Sequence, residues 1–281
     1  MFEVIFLWGL ALVWIIFATI QDWKSREIAN WLSFSLIVFA LGFRFFYSLF
    51  MGGNFSFFYQ GLFGLGIFFV LGNIFYYGKI FAGGDAKLMY AMGAVLPIYG
   101  TIIENAQFFL TFLLLFFFAG AVYSLIVSGG LAIRNFKNFK KEFGKQFKKN
   151  KKLFYLTLCA GLGIMLLGFV EASFFMFGVL LFITAYLYIF AKAVDESCMV
   201  KTMNVKKLTE GDWLYSDLKF GRKKIKATWD GLTKKDIIAI RKNCKNVKIK
   251  QGVPFTPAFL LSLIILFLFY LLDINLWALL F

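Results

Sequence analysis

The sequence predicts an all-α polytopic membrane protein of about eight transmembrane helices (six at the least), with a small α+β cytoplasmic domain ahead of the last helix. Three observations carry that reading. The 281 residues are 61% hydrophobic and 21% aromatic, with 40 Phe and a mean hydropathy of +0.78. Charge-poor runs recur at lengths near the ~20 residues that a bilayer span needs. One stretch, 195–252, breaks the hydrophobic pattern for long enough to fold on its own.

The charge-poor runs are 3–21, 29–50, 57–77, 85–100, 106–133, 153–170, 172–192 and 256–272. The first has no basic flank, since Glu3 is its only early charge, so it reads as a helix and not as a cleaved signal. The loops between runs alternate in charge. Lys24 and Arg26 lie in the first loop, Lys79 and Lys87 around the third, a dense basic series from Arg134 to Lys152, and many Lys and Arg in 192–252. The intervening loops hold no charge at 51–56, then Glu104, then Glu171. Basic loops face the cytoplasm, which predicts a plasma-membrane protein with both termini outside. Arg44 lies off the pattern and is expected to snorkel to the outer surface.

This alternation also accounts for the net charge of +15. The basic residues set topology and attract anionic headgroups of the lipid bilayer, so nucleic acid is not expected as a partner. The chain divides into a membrane bundle at 1–133, a basic amphipathic segment at 134–152, a helical hairpin at 153–192, a soluble domain at 193–253 and a last helix at 254–281. In the basic segment, Phe136, Phe139, Phe143 and Phe147 form an apolar stripe expected to lie on the membrane surface. In the soluble domain, Thr233 is placed to cap a helix with Asp236 three residues on, and Val247-Lys248-Ile249-Lys250 alternates like a strand. Pro254 and Pro257 suit the start of the last helix.

The chain contains no His, which excludes a Ser-His-Asp triad and His metal ligands. Cys159, Cys198 and Cys244 are far apart and form no CxxC pair, so no metal site or disulfide framework is expected. Acids at membrane boundaries are the remaining chemistry, and they are costly to place there. Asp22 ends the first run, and Asp85 opens the fourth behind Gly83 and Gly84, on the same predicted face. Two carboxylates sharing a low-dielectric site do not both ionise, so one can activate water while the other polarises a peptide carbonyl. No cofactor is needed. Each acid also has a plainer use, Asp85 as a helix cap and Asp22 in a surface ion pair with Lys24 or Arg26. A proton-coupled transporter using the acids as a relay, or a scaffold without catalysis, would carry the same two residues.

Gly83-Gly84-Asp85-Ala86-Lys87 resembles the signature of the GxGD membrane aspartic proteases. Asp22-Trp23-Lys24-Ser25-Arg26-Glu27-Ile28-Ala29-Asn30 resembles the other aspartate motif of their prepilin peptidase branch, in which an Arg and an Ile-Pro-Asn follow the Asp. Leu208–Trp213, Gly231-Leu232-Thr233 and Gly252–Pro257 look like the cytoplasmic region of archaeal prepilin and preflagellin peptidases. The resemblance implies an aspartic endopeptidase with Asp22 and Asp85 as catalytic pair and Gly83, Gly84, Lys87 and Arg26 as supporting residues. It implies as partners prepilin- or preflagellin-like precursors, cut between a short basic leader and an apolar helix. Two positions depart from the pattern. Ala82 stands where the first Gly of GxGD is usual, and Ala29 where Pro is usual. Substrate-binding residues are unknown at this level; Glu210, Asp212 and Asp217 are the acids nearest to hand for a basic leader. The oligomeric state is not legible.

Overall fold

The computed structural model describes residues 2–51, 54–98, 101–220 and 223–274. Parts of the 51–56 loop, the end of the fourth apolar run at 99–100 and the tail 275–281 lie outside the described residues. Each of the eight apolar runs carries a helix: α1 (Phe2–Ser25), α2 (Asn30–Phe50), α3 (Ser56–Tyr77), α4 (Gly83–Val95), α5 (Ile102–Arg134), α7 (Lys151–Leu167), α8 (Ala172–Cys198) and α10 (Thr256–Leu271), with α6 (Phe136–Lys149) between α5 and α7. Five of them, α1, α2, α3, α5 and α8, are long and apolar enough to cross a bilayer. A sixth span is possible through α6 and α7, which meet at a 77° bend. The fold is therefore an all-α polytopic membrane fold. α4, with 13 residues, reaches only about 20 Å at 1.5 Å per residue, well short of a ~30 Å hydrocarbon core.

The chain forms two compact units, residues up to 125 with those from 254 on, and residues 126–253. In the first, α4 sits at the centre, with Leu88, Met89, Ala91, Met92, Ala94 and Val95 almost fully buried. Glycines let α3 come backbone to backbone with it. A methyl on Gly93 would fall 2.6 Å from the Cβ of Phe68 and collide with the backbone of Gly64, a contact that only small residues permit.

α4 ends inside the bundle, so its last carbonyls have no water to meet. Arg44 of α2 supplies the donors. Its Nε donates to the Ala94 carbonyl at 2.8 Å and its Nη2 to those of Val95, at 2.9 Å, and Pro97. Nη1 donates to the Phe57 carbonyl, and the guanidinium lies 4.3 Å from the centre of the Phe57 ring. The expected snorkelling is thus corrected: Arg44 is fully buried, because a buried helix end offers more to a cation than the outer surface does.

In the second unit part of the phenylalanine stripe of α6 meets protein. Phe143 and Phe147 pack on a small core of Phe154, Ala185 and Ile189, and Phe139 meets the Phe190 ring at 5.6 Å. α7 and α8 cover part of Phe139, Phe143 and Phe147, while Phe136 stays 60% exposed. An apolar stripe buries equally well against protein or lipid, and here protein is adjacent.

The α+β module follows α8. Strands β1 (Val200–Asn204), β5 (Asn246–Lys250) and β2 (Trp213–Leu214) form an antiparallel sheet in the order β1-β5-β2, and β3 (Leu218–Phe220) pairs with β4 (Lys223–Ile225) as a hairpin. The alternation read at Val247–Lys250 puts Val247 and Ile249 inside. α9 (Lys234–Asn243) begins as predicted, with a full capping box between Thr233 and Asp236. Gly211 and Gly231 both have positive φ, and their loops close on each other through Gly211 N–H donating to Leu232 O and Leu232 N–H to Asp212 O.

Candidate active site

Three helix ends meet in the first unit. α1 delivers Asp22 one turn before its end, and the chain leaves through Arg26, whose φ of 61° and N–H bond to the Asp22 carbonyl close the helix in the left-handed manner usual for a helix C-terminus. Residues 26–29 then lead into α2. Gln21 pins this loop by accepting the Ala29 N–H at 2.9 Å. Ala29 has φ −64° and ψ 134°, a conformation that proline also prefers. The departure from Pro therefore keeps the backbone and gains a donor that Gln21 uses.

α4 delivers Asp85 in its first turn. Its N-cap, Ala82, has no side-chain oxygen to cap with. Ala82 sits at φ −71° and ψ 161°. That backbone needs no glycine, so Ala in place of the first Gly of the motif introduces no strain. The two glycines that remain differ from one another. A methyl on Gly84 would lie 3.1 Å from the Cβ of Ile28, whereas one on Gly83 would meet only an edge atom of Tyr76 at 3.8 Å. Gly84 is what allows the loop after α1 to close on the start of α4.

The structure closes the two aspartate motifs on each other, with Ile28 against Gly84. Asp22 and Asp85 are both nearly buried, at 7% and 9% exposure. A second tie joins the two motifs: Lys87 donates from Nζ to Oδ1 of Asn30 at 2.6 Å. Lys87 thereby holds α4 to the start of α2. Arg26 acts on the same loop through its backbone.

Sequence reading did not identify the third participant. Thr256, the first residue of α10, is fully buried and donates its hydroxyl to Oδ2 of Asp22 at 2.9 Å, with its backbone N–H 3.3 Å from the same oxygen. The residue before it, Phe255, stacks at angles against Phe81 and Phe116, and Phe81 immediately precedes the Ala82–Lys87 stretch. The signal was present in Gly252–Pro257, a stretch matched as motif but not tied to either acid.

The acids considered for leader binding are engaged elsewhere. Glu210 accepts the Lys234 N–H and pairs with its ammonium at 3.6 Å, Asp212 accepts the Thr209 N–H, and Asp217 pairs with Lys224 at 2.8 Å while accepting the Ala227 N–H. All three organise loops of the α+β module.

Comparison with known proteins places the likeness on the part of the chain that holds both motifs. The model of the type IV leader peptidase family matches residues 9–125. A preflagellin peptidase of Methanococcus maripaludis is 30% identical over 142 residues, 47% of this chain and 60% of that protein. A preflagellin peptidase of Methanococcus voltae is 29% identical over 138 residues, 47% of this chain and 58% of that protein. The chain thus spans about three fifths of the length of the curated relatives that it matches. No solved structure matches it.

Proposed function

We propose, from the kinship of residues 9–125 with the type IV leader peptidases, that this chain is a membrane aspartic endopeptidase. It removes a short basic leader from prepilin- or preflagellin-like precursors, with Asp22 and Asp85 as its catalytic pair. The observation that carries the reading is the closure of the two motifs on each other, with their acids, 63 residues apart in sequence, both buried at the ends of α1 and α4.

The chemistry follows from two carboxylates sharing one proton. The ionised member takes a proton from a water molecule as the water oxygen bonds to the scissile carbonyl carbon. The protonated member donates to the carbonyl oxygen, giving a neutral tetrahedral diol. Collapse of the diol breaks the C–N bond. The proton gained by the first carboxylate passes to the leaving nitrogen, and the second regains its own from the diol. No nucleophilic side chain is consumed.

Location supports the substrate class. Asp22 lies at the C-terminal end of α1, and Asp85 and Thr256 lie at the N-terminal ends of α4 and α10. The loops at that end, 22–28 and 78–87, carry Lys and Arg, which marks it as cytoplasmic. A precursor whose apolar helix lies in the bilayer and whose basic leader stays in the cytoplasm presents its junction at this level.

The test is purified protein in detergent or liposomes with a precursor of that design, followed by mass spectrometry of the products. Wild type cuts once, between leader and apolar helix, and Asp22→Asn and Asp85→Asn each leave the precursor intact while keeping the folded protein. Cleavage retained by either variant overturns the assignment.

A further inference from the structure

We infer that Thr256, at the head of α10, is a positioning residue for Asp22, so that the reactive centre extends beyond the family-matched region to the C-terminal helix. The inference rests on the reading of Asp22 and Asp85 as a catalytic pair.

Four observations converge on it. Thr256 is fully buried, and its hydroxyl and backbone N–H both reach Oδ2 of Asp22. Neither donor reaches Oδ1, which accepts from no described residue. One oxygen is thus fixed, and the carboxylate can no longer rotate freely about its Cβ–Cγ bond; the other is left for a water or a substrate group. A threonine is well suited to this, because its branched Cβ restricts χ1 and holds the hydroxyl in one direction.

The helix that presents Thr256 is itself keyed in place. Phe255 packs against Phe81 and Phe116, and Phe259 lies 4.5 Å from the Phe116 ring centre. The ring of Phe255 occupies the space over Gly120, where a methyl would come within 2.8 Å of its Cζ. Pro257 follows directly and suits the first turn of a helix. The same aromatic cluster holds Phe81, four residues before Asp85, so α10 is keyed to the stretch that leads into α4 as well as to Asp22.

The experiment compares wild type, Thr256→Val, Thr256→Ser and Asp22→Asn, each checked for folded yield and melting temperature, in steady-state leader cleavage. Valine keeps the shape and removes the hydroxyl; serine restores it. The expected result is a fall in kcat of about 10- to 100-fold in Thr256→Val, the range set by losing a hydrogen bond to a charged group, with KM little changed. Thr256→Ser recovers most of that loss; Thr256→Val melts somewhat below wild type, having lost a donor to a buried acid, so kcat is taken per folded protein. Two results overturn the role of Thr256 and leave the dyad standing: unchanged kcat in Thr256→Val, or equal loss in valine and serine variants, each with Asp22→Asn inactive. An active Asp22→Asn overturns the dyad, and the role of Thr256 with it.

Discussion

In the α+β module, Asp217 is paired with Lys224, Glu210 with Lys234, and both keep a large share of their surface in water. In the bundle, Asp22 and Asp85 are nearly buried, Asp22 is held by the hydroxyl and backbone N–H of Thr256, and among the described residues no cation lies in ion-pair reach of either acid. The two groups of acids differ in what has been done with their charge. Solvated pairs with lysine contribute little energy and hold loops in shape. Acids kept from cations at membrane depth cost the fold stability and keep their capacity to exchange protons. The contrast argues for looking for chemistry in the bundle and for architecture in the module.

The sharpest way to break the contrast is to neutralise the buried acids. Asp22→Asn and Asp85→Asn should each lower kcat for leader cleavage by at least about 10³-fold, since in the proposed mechanism each removes a group that transfers protons. The same change at Asp217 should not register in that assay. Next in size is Arg44, the buried charge at the other end of α4. Arg44→Met leaves the carbonyls of Ala94, Val95, Pro97 and Phe57 without their donor. Uncompensated buried polar groups of this kind cost ~3 kcal/mol or more. The expected outcome is a marked drop in melting temperature and folded yield in detergent. A stable Arg44→Met protein would show that α4 satisfies its end some other way.

Much of this architecture was legible in the sequence, and the reasons are local. Apolar runs reported the helices because burial in lipid or protein requires the same composition. Thr233 and Asp236 reported a helix start because a capping box is complete within four residues. The Asp22–Asn30 and Gly83–Lys87 stretches were recognisable because each is contiguous. What escaped depends on distant partners. Arg44 meets carbonyls 50 to 53 residues on, and Thr256 meets an acid 234 residues away; neither has a periodicity or spacing that could announce it. How much of the α6 stripe α7 and α8 would cover was not legible either, since an apolar face does not record its partner.

The two motif glycines offer a finer test within the bundle. Gly84→Val should push Ile28 and the loop after α1 away from α4, separating Asp22 from Asp85, and so lower cleavage by roughly ten-fold or more, in keeping with the sensitivity of catalysis to small misplacements. Gly83→Ala should be nearly silent, because its methyl meets only an ordinary contact. Ala82→Gly should likewise gain nothing, since φ is already −71° there. Equal losses at 83 and 84 would mean that the glycines serve substrate access instead of the closure between Ile28 and α4.

The smallest effects belong to the module, and there the sign of the pH dependence is the useful readout. The hydrogen bond from Lys224, with that of the Ala227 N–H, holds the Asp217 carboxyl below the usual carboxylate range. A lowered folded value means that the stabilisation is present at neutral pH and is lost as pH falls through that value. Asp217→Asn should therefore melt slightly below wild type at pH 7 and converge with it in acid, with leader cleavage unchanged at neutral pH. Thermal melts of the two proteins across an acid series, run beside the cleavage assay, measure both halves of that statement. A large loss of cleavage in Asp217→Asn would move an acid of the module into the group that handles substrate, and would remove the distinction between the two regions.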